Sequence, residues 1–409
     1  MPELNGYGFD SVFFRINVKE RSDMSKLKVM TIVGTRPEII RLASFIKLAD
    51  QYFEHTLVHT GQNWDYTLNQ VFFEELGIRE PNYYLDSVGD NLGETMGNII
   101  AKSYEVIERE KPEALLILGD TNSALSAISA KRLKVPIFHM EAGNRCWDWN
   151  VPEMINRKIV DHIADINLPY TENARRYLLS EGIDGKTIFV TGSPMTEVIS
   201  VYKDKIENSR ILEELELEEG KYILVSAHRE ENIDHEQNFL SLMNALNHMA
   251  EVYQVPVIYS THPRSKKFIE AREFKFHPLV RSVKPFGFFD YNKLQCLALC
   301  VLSDSGTLSE ESAILNFPGV QIRTSTERPE ALDGGTIVIG GISSKDIEQA
   351  TELAIAMRTN MDEGTLPRDY VDTNVATKVV KIIQSYTHIV NTNVWLKEER
   401  EACPNEYSL

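Results

Sequence analysis

The sequence has few cysteines, a shortage of basic residues and no long apolar run, and each shortage excludes a class of protein. Its four cysteines show no CxxC or metal-ligand spacing, which is typical of reduced thiols in a cytosolic protein. Lys and Arg number 43 against 60 Asp and Glu, a net charge of -17, which excludes nucleic acid and anionic membranes as main partners. No apolar run is long enough to cross a bilayer. We therefore expect a cytoplasmic protein.

Cofactor signatures are missing as well. No GxGxxG motif follows a predicted strand, so a dinucleotide cofactor is not indicated. His228 and His262 have no accompanying cysteine or paired-histidine spacing, which disfavours zinc. We expect neither a cofactor nor a metal, and any anionic small ligand must be bound by local cations.

The chain of 409 residues is long enough for two domains, and apolar strands alternate with helical patterns in both halves. This alternation predicts an α/β fold with two Rossmann-like, doubly wound domains facing a cleft. The pattern also predicts a helix from about Asp65 and strands at Ile137 to Met140, Ile166 to Leu168, Ile188 to Val190 and Cys300 to Ser303. The expected boundaries are 1–23 for an appended segment, 24–204 and 205–374 for the two domains, and 375–409 for a last helix that packs back on the first domain.

Three acidic residues, Asp120, Glu141 and Glu153, stand where apolar runs stop and loop chemistry starts. Open parallel sheets place their ligands at the carboxyl ends of strands, so these side chains are expected at one edge. Three converging carboxylates are poor at holding an anion but well suited to moving protons. We therefore interpret the chain as an enzyme and these residues as catalytic.

Two loops that open helices are candidate phosphate sites. Gly34 to Glu38 places Arg36 at a helix start, and Arg41 adds a cation one turn later. The stretch Ser303 to Glu311 follows a strand and opens a helix. Gly306 permits close backbone approach, Ser305 and Thr307 offer hydroxyls, and Glu311 could accept two ribose hydroxyls. The ordinary alternatives are a solvent-exposed arginine in a strand-helix turn and a capping box.

Polar and aromatic candidates complete the set. His228 and His262 follow strands, each with an arginine close behind, although a histidine at a strand end is often structural. Arg328 follows a later short strand and is positioned to reach the same cleft. Tyr291, in an aromatic cluster that is otherwise expected to be core, could stack on a base.

Taken in order, these short motifs resemble the non-hydrolysing UDP-N-acetylglucosamine 2-epimerase family. Each motif alone is weak, but their combination from Met30 to Thr336 is specific. The matching stretches are Gly34 to Glu38, Gly119-Asp120-Thr121, Glu141-Ala142-Gly143, Pro152-Glu153 with Asn156-Arg157, His228-Arg229, Asp304-Ser305-Gly306 with Glu310-Glu311, and Glu327 to Glu330.

The resemblance implies a glycosyltransferase-B-like fold, a homodimer, a UDP-2-acetamido sugar in the cleft and no redox cofactor. It also implies elimination of UDP across C1 and C2, followed by re-addition with the opposite C2 configuration. By motif, the sugar and diphosphate side comprises Arg36, Asp120, Glu141, Glu153 and His228. The uridine diphosphate side comprises Tyr291, Ser305, Gly306, Thr307, Glu311 and Arg328. Substrate binding is also expected of Arg41, Arg145 and His262.

Several positions depart from the family pattern. Arg41 replaces a usual lysine, Met154 a usual acid and Thr307 a usual glycine, while Gln62 to Asp65 lacks the Gln-His-Arg run of allosterically activated members. Met154 in place of an acid is expected to make the sugar wall more apolar, which suits a 6-deoxy sugar. Four stretches look closer to the branch forming UDP-N-acetyl-L-fucosamine from UDP-2-acetamido-2,6-dideoxy-L-talose, for capsule or O-antigen synthesis: Asn144 to Cys146, Ser303 to Glu311, Asn316 to Pro318 and Glu327 to Asp333. The alternatives are epimerisation of UDP-N-acetylglucosamine, a hydrolysing epimerase, a glycosyltransferase and a non-catalytic nucleotide-sugar-binding protein.

Overall fold

The computed structural model describes residues 25–61, 70–146, 151, 153–323, 326–361 and 364–397. These residues form two six-stranded, fully parallel sheets. The strands of the first sheet are β1 (Lys28–Val33), β2 (Glu54–His59), β3 (Tyr83–Tyr84), β4 (Ala114–Leu118), β5 (Ile137–Met140) and β6 (Ile166–Leu168). The strands of the second are β7 (Ile223–Ser226), β8 (Val257–Ser260), β9 (Val280–Val283), β10 (Cys300–Ser303), β11 (Gly319–Gln321) and β12 (Val338–Ile339).

Helices connect the strands in both halves. In the first half they are α1 (Arg36–Tyr52), α2 (Gln70–Leu76), α3 (Leu92–Glu110), α4 (Ser126–Arg132), α5 (Glu153–Ile163), α6 (Glu172–Ser180) and α7 (Met195–Glu207). They continue as α8 (Ile211–Glu214), α9 (Glu230–Ile233), α10 (Glu236–Tyr253), α11 (Pro263–Ala271), α12 (Phe288–Leu297), α13 (Thr307–Leu315), α14 (Pro329–Asp333), α15 (Ser344–Thr359) and α16 (Val375–Asn393).

The two sheets share one topology. Their strand orders are β3-β2-β1-β4-β5-β6 and β12-β11-β10-β7-β8-β9, which are the same doubly wound arrangement. Successive residues of β4 are all buried and alternate between two apolar clusters, one on each face of the sheet. A strand covered on both faces has to be continuously apolar, which explains the runs in the sequence. The predicted fold class is confirmed.

Two details of the sequence prediction changed or lie outside the described residues. The strand predicted at Ile188 to Val190 is wrong, because in the described part Ile188 forms just an isolated bridge to Asn167. The start predicted for a helix near Asp65 lies outside the described residues, and the helix is described from Gln70. Among the described residues, none of the helices combines the length and apolar character that spanning a bilayer requires.

The last helix returns to the first sheet. The buried residues Val375, Val379 and Ile383 of α16 belong to the same apolar cluster as residues of α1 and β1. The domain boundaries themselves remain a prediction.

A cleft lies between the two sheets. The loops at the carboxyl ends of β1, β4 and β5 line one side of it, and the loops after β7, β8 and β10 line the other.

Candidate active site

Two adjoining cavities, of about 370 and 320 Å³, occupy this cleft. Residues from both halves, including Arg41, His228 and Thr307, line both cavities and make them continuous. The predicted site residues that line the cleft are Arg36, Arg41, Asp120, Glu141, Glu153, His228, His262, Ser305, Gly306, Thr307, Glu311 and Arg328. Strand ends that are more than a hundred residues apart in sequence therefore meet in one place.

The first cavity combines a cation with groups suited to a nucleotide. Arg36 opens α1, donates to the carbonyl of Phe286 at 3.5 Å and lies 5.2 Å from the ring centre of Phe72. Burial lowers the pKa of Arg36, while Tyr291 and Glu311 oppose this shift. Gln295 donates to Glu311 at 2.7 Å, and burial raises the pKa of that carboxyl. Burial also raises the pKa of Tyr291, which packs close to the same groups.

The start of α13 lies between the two cavities. The backbone N–H of Thr307 donates to the Ser305 hydroxyl at 3.3 Å, and the two hydroxyls are 3.0 Å apart. Gly306 has an ordinary right-handed backbone, and a Cβ added there would lie 3.5 Å from Glu327 and 3.9 Å from Arg229. These are ordinary contact distances, so the protein itself does not require glycine at this position. Any requirement for glycine must come from a ligand at the helix N-terminus.

The second cavity contains a buried ring of alternating charge. Arg41 contacts Glu141 and is 2.7 Å from Glu310, while Arg328 is 2.7 Å from Glu141 and 3.9 Å from Glu310. Arg41 and Glu141 belong to the first half of the chain, whereas Glu310 and Arg328 belong to the second. The ring therefore ties the two halves together across the cleft.

A second group of ion pairs continues from this ring. Arg157 contacts Asp120 and lies 3.5 Å from Glu327, which is 3.1 Å from Arg229. Arg229 in turn reaches Glu153 at 4.0 Å. Among the described residues, these ion pairs join five carboxylates to five guanidiniums: Asp120, Glu141, Glu153, Glu310 and Glu327 with Arg41, Arg157, Arg229, Arg323 and Arg328.

The pKa values of Asp120 and Glu141 are shifted in opposite directions. Burial raises the pKa of Asp120 to about 7, and the neighbouring carboxylates Glu327 and Glu141 outweigh part of the opposing effect of Arg157. Burial also acts on Glu141, but Arg41, Arg328 and Arg157 together lower its pKa to about 2. Asp120 can therefore exchange a proton near neutral pH, whereas Glu141 is held as an anion.

Glu141 also has an unusual backbone. Its φ is 62°, in the left-handed region that a residue with a side chain rarely adopts and that costs about 1–3 kcal/mol. The conformation follows the end of β5, where the Glu141 N–H donates to the carbonyl of Leu168 at 3.2 Å. This turn directs the carboxylate, which is 5% exposed, toward the arginines. Strain of this kind clusters at functional sites.

The structure does not bring Arg145 into the cleft. Its guanidinium is 1% exposed and lies 2.8 Å from Asp161 and 2.6 Å from Glu181. Asp161 also accepts from the backbone N–H of Gly143 at 3.1 Å, so these ion pairs support the loop that follows Glu141. Among the described residues, Arg145 makes these structural contacts and does not line the cleft, so its expected role in binding substrate stays a prediction.

Met154 does not lie where the sequence argument needs it. Its side chain is 3% exposed and packs with Cys146 and Val151 in a small apolar cluster. It is not among the described residues that line the cleft. The substitution of an acid by Met154 therefore does not make the described wall of the cavity apolar.

Sequence reasoning did not assign several residues that the structure places at the site. Arg157 follows Glu153 by four residues on α5, a spacing that puts both on one helix face and could have revealed it. Glu310 and Glu327 lie in stretches that match the family, but sequence reasoning gave them no role because their partners are remote in sequence. Glu38, in the first matching stretch, was likewise given no role. It is 1% exposed and accepts from the Gly34 N–H at 2.7 Å and the Ser123 hydroxyl at 2.9 Å, and so joins the loops after β1 and β4.

The arrangement can bind an anion and move a proton. In the described part of the chain, no group of three or more His, Cys, Asp or Glu is arranged to hold a metal ion. The first cavity offers Arg36 and a helix N-terminus to an anion. The second offers a carboxyl that titrates near neutrality, next to arginines that can stabilise developing negative charge.

Comparisons with known proteins show the family to which the chain is similar. The model of the UDP-N-acetylglucosamine 2-epimerase family matches residues 47–384. A solved structure of UDP-N-acetylglucosamine 2-epimerase from Rickettsia bellii is 46% identical, with a TM-score of 0.83, over 91% of this chain and 100% of that one. The Methanocaldococcus jannaschii UDP-GlcNAc 2-epimerase, solved with UDP-GlcNAc and UDP, is 30% identical, with a TM-score of 0.82, over 88% of this chain and 100% of that one.

A curated relative has a different sugar in its name. The UDP-2,3-diacetamido-2,3-dideoxy-D-glucuronate 2-epimerase of Pseudomonas aeruginosa is 33% identical over 345 residues, 83% of this chain and 95% of that protein. Proteins at comparable distances from this chain are thus named for different hexoses.

Proposed function

The chain belongs to the non-hydrolysing UDP-N-acetylglucosamine 2-epimerase family, a family of isomerases, and we propose how its cleft inverts C2 of a UDP-2-acetamido sugar. The observation that carries the proposal is the position of Asp120: a partly buried carboxyl with a pKa of about 7, in a cavity continuous with a cationic one. The C2 proton of such a sugar is not next to a carbonyl, so its direct removal faces a high barrier. Elimination of UDP to a glycal and its re-addition avoids that barrier.

The two cavities divide the substrate between them. Arg36, the N-terminus of α13 and Glu311 bind the uridine diphosphate in the first cavity. The sugar occupies the second cavity, among Asp120, Glu141 and Glu153. The departing diphosphate then lies at the junction, next to Arg41, where a guanidinium stabilises its negative charge.

The three carboxylates have different roles in this proposal. Asp120 transfers the proton, because its pKa lies near the working pH. Glu141, with a pKa of about 2, stays ionised and keeps Arg41 and Arg328 in place. Glu153, which lies 4.0 Å from Arg229, is the candidate for proton transfer on the other face of the sugar.

We propose UDP-2-acetamido-2,6-dideoxy-L-talose as the preferred substrate, which gives UDP-N-acetyl-L-fucosamine for cell-surface polysaccharide. The support is the likeness to that branch of four stretches: Asn144 to Cys146, Ser303 to Glu311, Asn316 to Pro318 and Glu327 to Asp333. UDP-N-acetylglucosamine is the second candidate, supported by the name of the protein from R. bellii and by the UDP-GlcNAc with which the M. jannaschii enzyme was solved. A homodimer, a cytoplasmic location and domains at 24–204 and 205–374 are part of the same proposal.

Nuclear magnetic resonance in deuterated water tests the reaction. The purified enzyme is incubated with each UDP-2-acetamido sugar, without added nicotinamide or metal, and deuterium at C2 is followed in both epimers. We expect solvent deuterium at C2 of substrate and product, and Asp120→Asn as the matched variant should abolish it. Complete retention of the original C2 hydrogen during turnover would rule out proton exchange with this wall.

The same samples test the choice of hexose. We expect kcat/KM to be higher for the 6-deoxy-L-talose nucleotide than for UDP-N-acetylglucosamine, with residual activity on the latter, because the stretches named above resemble the branch that acts on the 6-deoxy sugar. Equal or higher kcat/KM for UDP-N-acetylglucosamine would refute the choice of the 6-deoxy-L-talose substrate and would leave the proposed epimerisation standing.

A further inference from the structure

Asp304, directly after β10, has one oxygen that the fold uses and one that it does not. Oδ2 accepts the backbone N–H groups of His228 and Arg229, both at 2.9 Å, and the side-chain amide of Asn232 at 3.1 Å. Oδ1 is buried and accepts no hydrogen bond from the described residues. Asp304 is 0% exposed. A buried carboxylate oxygen without a donor is costly, so its position requires an explanation.

The imidazole of His228 is a candidate donor to this oxygen. Its Nδ1 lies 3.7 Å from Oδ1 of Asp304, just beyond hydrogen-bond distance. The register of the sheet pairs Ser226 with Ser303, so the residues that follow β7 and β10 emerge side by side. The three bonds to Oδ2 fix the backbone on which the imidazole is carried. A small rotation of the ring therefore brings Nδ1 to Oδ1, which can only accept.

The ring of His262 lies against that of His228 and carries its proton on Nε2. The two rings are stacked, with centroids 5.5 Å apart and planes 27° from parallel. His262 Nδ1 accepts from the backbone N–H of Arg264 at 3.2 Å, which leaves the proton on Nε2. Burial and the neighbouring His228 lower the pKa of His262 to about 4, so its ring is neutral at physiological pH.

We propose that Asp304 is a positioning residue that holds His228 with its proton on Nδ1, so that the stacked histidines offer the cleft one acceptor and one donor. His228 Nε2 is then the acceptor and His262 Nε2–H the donor. Both rings line the two cavities. This inference deepens the proposed epimerisation and rests on it, because the ligand at these nitrogens is the UDP-sugar.

The tautomer decides what His228 can do. With Nδ1 protonated, Nε2 can accept a hydrogen bond from a substrate hydroxyl, or accept its proton, while Asp304 stabilises the imidazolium that forms. With the proton on Nε2, the ring can do neither. His262 meanwhile donates to an acceptor oxygen such as that of a phosphate. Asp304 acts only through His228 and does not itself contact the substrate.

The substitution Asp304→Asn tests this role with little change in shape. The amide oxygen replaces Oδ2 and keeps the three bonds from His228, Arg229 and Asn232, so the amide nitrogen points at His228 Nδ1. A donor at that place forces the proton of the ring to Nε2. We expect kcat to fall by about 10²- to 10⁴-fold, the range for a base held in the wrong tautomer, and the Kd for UDP to stay within about twofold.

Two measurements separate positioning from a general structural effect. Nuclear magnetic resonance of isotope-labelled histidine should show His228 protonated on Nδ1 in the wild type and on Nε2 in Asp304→Asn, with His228→Gln identifying the signals. In a double-variant cycle, Asp304→Asn should cost nothing further in the His228→Gln background. As a control, Asn232→Ala removes one bond to Oδ2 and should leave the tautomer of His228 unchanged.

The outcomes separate the inference from the proposed function. An Nε2-protonated His228 in the wild type would overturn the inference even if Asp304→Asn fails to fold. So would full turnover by Asp304→Asn, or a loss that multiplies with that of His228→Gln. Failure of the wild type to exchange C2 hydrogen in any UDP-2-acetamido sugar would instead refute the proposed function, and the histidine spectra would still report the tautomer.

Discussion

The substitution Glu141→Gln removes one negative charge from the centre of the network and keeps the size of the side chain. Glu141 contacts Arg41, is 2.7 Å from Arg328 and is 3.7 Å from Arg157. The fall of its pKa from the ordinary value of 4.5 to about 2 corresponds to about 3 kcal/mol of folding free energy at neutral pH. We expect Glu141→Gln to lose most of this stability.

The pH dependence has a definite sign. Because the pKa of Glu141 is lower in the folded than in the unfolded protein, its stabilisation is complete above about pH 4.5 and disappears as the pH falls toward 2. The difference in unfolding free energy between wild type and Glu141→Gln should therefore be greatest at neutral pH and about half as large near pH 3. Urea unfolding at a series of pH values measures it.

Function should change in a different way from stability. With Glu141 neutral, five guanidiniums face four carboxylates, so the cleft becomes more positive and UDP should bind as well as, or better than, in the wild type. Turnover should fall by at least about 10²-fold, because Arg41 and Arg328 lose the carboxylate that orients them. Calorimetry of UDP binding and steady-state kinetics measure these two effects.

Glu181 provides the matched control. Its pKa is also lowered to about 2, first by a hydrogen bond from Arg145, but it lies outside the cleft. Glu181→Gln should lose stability and keep the turnover of the wild type. The reasoning on Glu141 would be refuted if Glu141→Gln unfolded like the wild type at neutral pH, or if its turnover were within about twofold of the wild type.

Three further predictions concern the other groups of the site. Asp120→Asn should lower kcat by at least about 10²-fold with unchanged UDP affinity, and the wild-type rate profile should contain a titration near pH 7 that the variant lacks; a retained titration would assign it to another group. Gly306→Ala should fold normally and weaken UDP binding at least about tenfold, and equal affinity in calorimetry would place the diphosphate elsewhere. Arg145→Ala should lose about 3 kcal/mol of stability in urea unfolding, since it takes the guanidinium from the buried Asp161, which then has His139 Nδ1 at 2.9 Å as its remaining basic partner among the described residues, and a folded, stable variant that cannot bind UDP would contradict the structural role.

Much of the fold could be predicted because its signals are local. The strands at Ile137–Met140, Ile166–Leu168 and Cys300–Ser303 have the predicted bounds, since a strand covered on both faces is a short apolar run ended by polar residues. Ile188 to Val190 has the same composition but pairs only through one isolated bridge. The neighbouring strand β6 is at the edge of its sheet and could accept a further strand, so the difference lies in how the chain passes that edge, which composition does not reveal.

The candidate site was predictable where residue type and strand end coincide. Asp120, His228 and Ser305 follow strands, and the topology of a doubly wound sheet brings such positions to one edge. Arg145 satisfied the same local criterion and yet lies behind the loop, paired with Asp161 and Glu181. A guanidinium after a strand can turn to either side, and the placement of the surrounding carboxylates decides which side it takes.

By itself, the sequence determined the alternation of strands and helices, the chemistry available at the strand ends and the family. Only the tertiary structure decided how those charges are used. Arg41 and Glu310 are 269 residues apart and form a buried ion pair between the two halves. Asp120 and Glu141 are both carboxylic acids at strand ends, but the pKa of Asp120 is about 7 and that of Glu141 is about 2. The pKa depends on burial and on which charges lie within a few ångströms, and these are properties of the folded chain rather than of any local stretch of sequence.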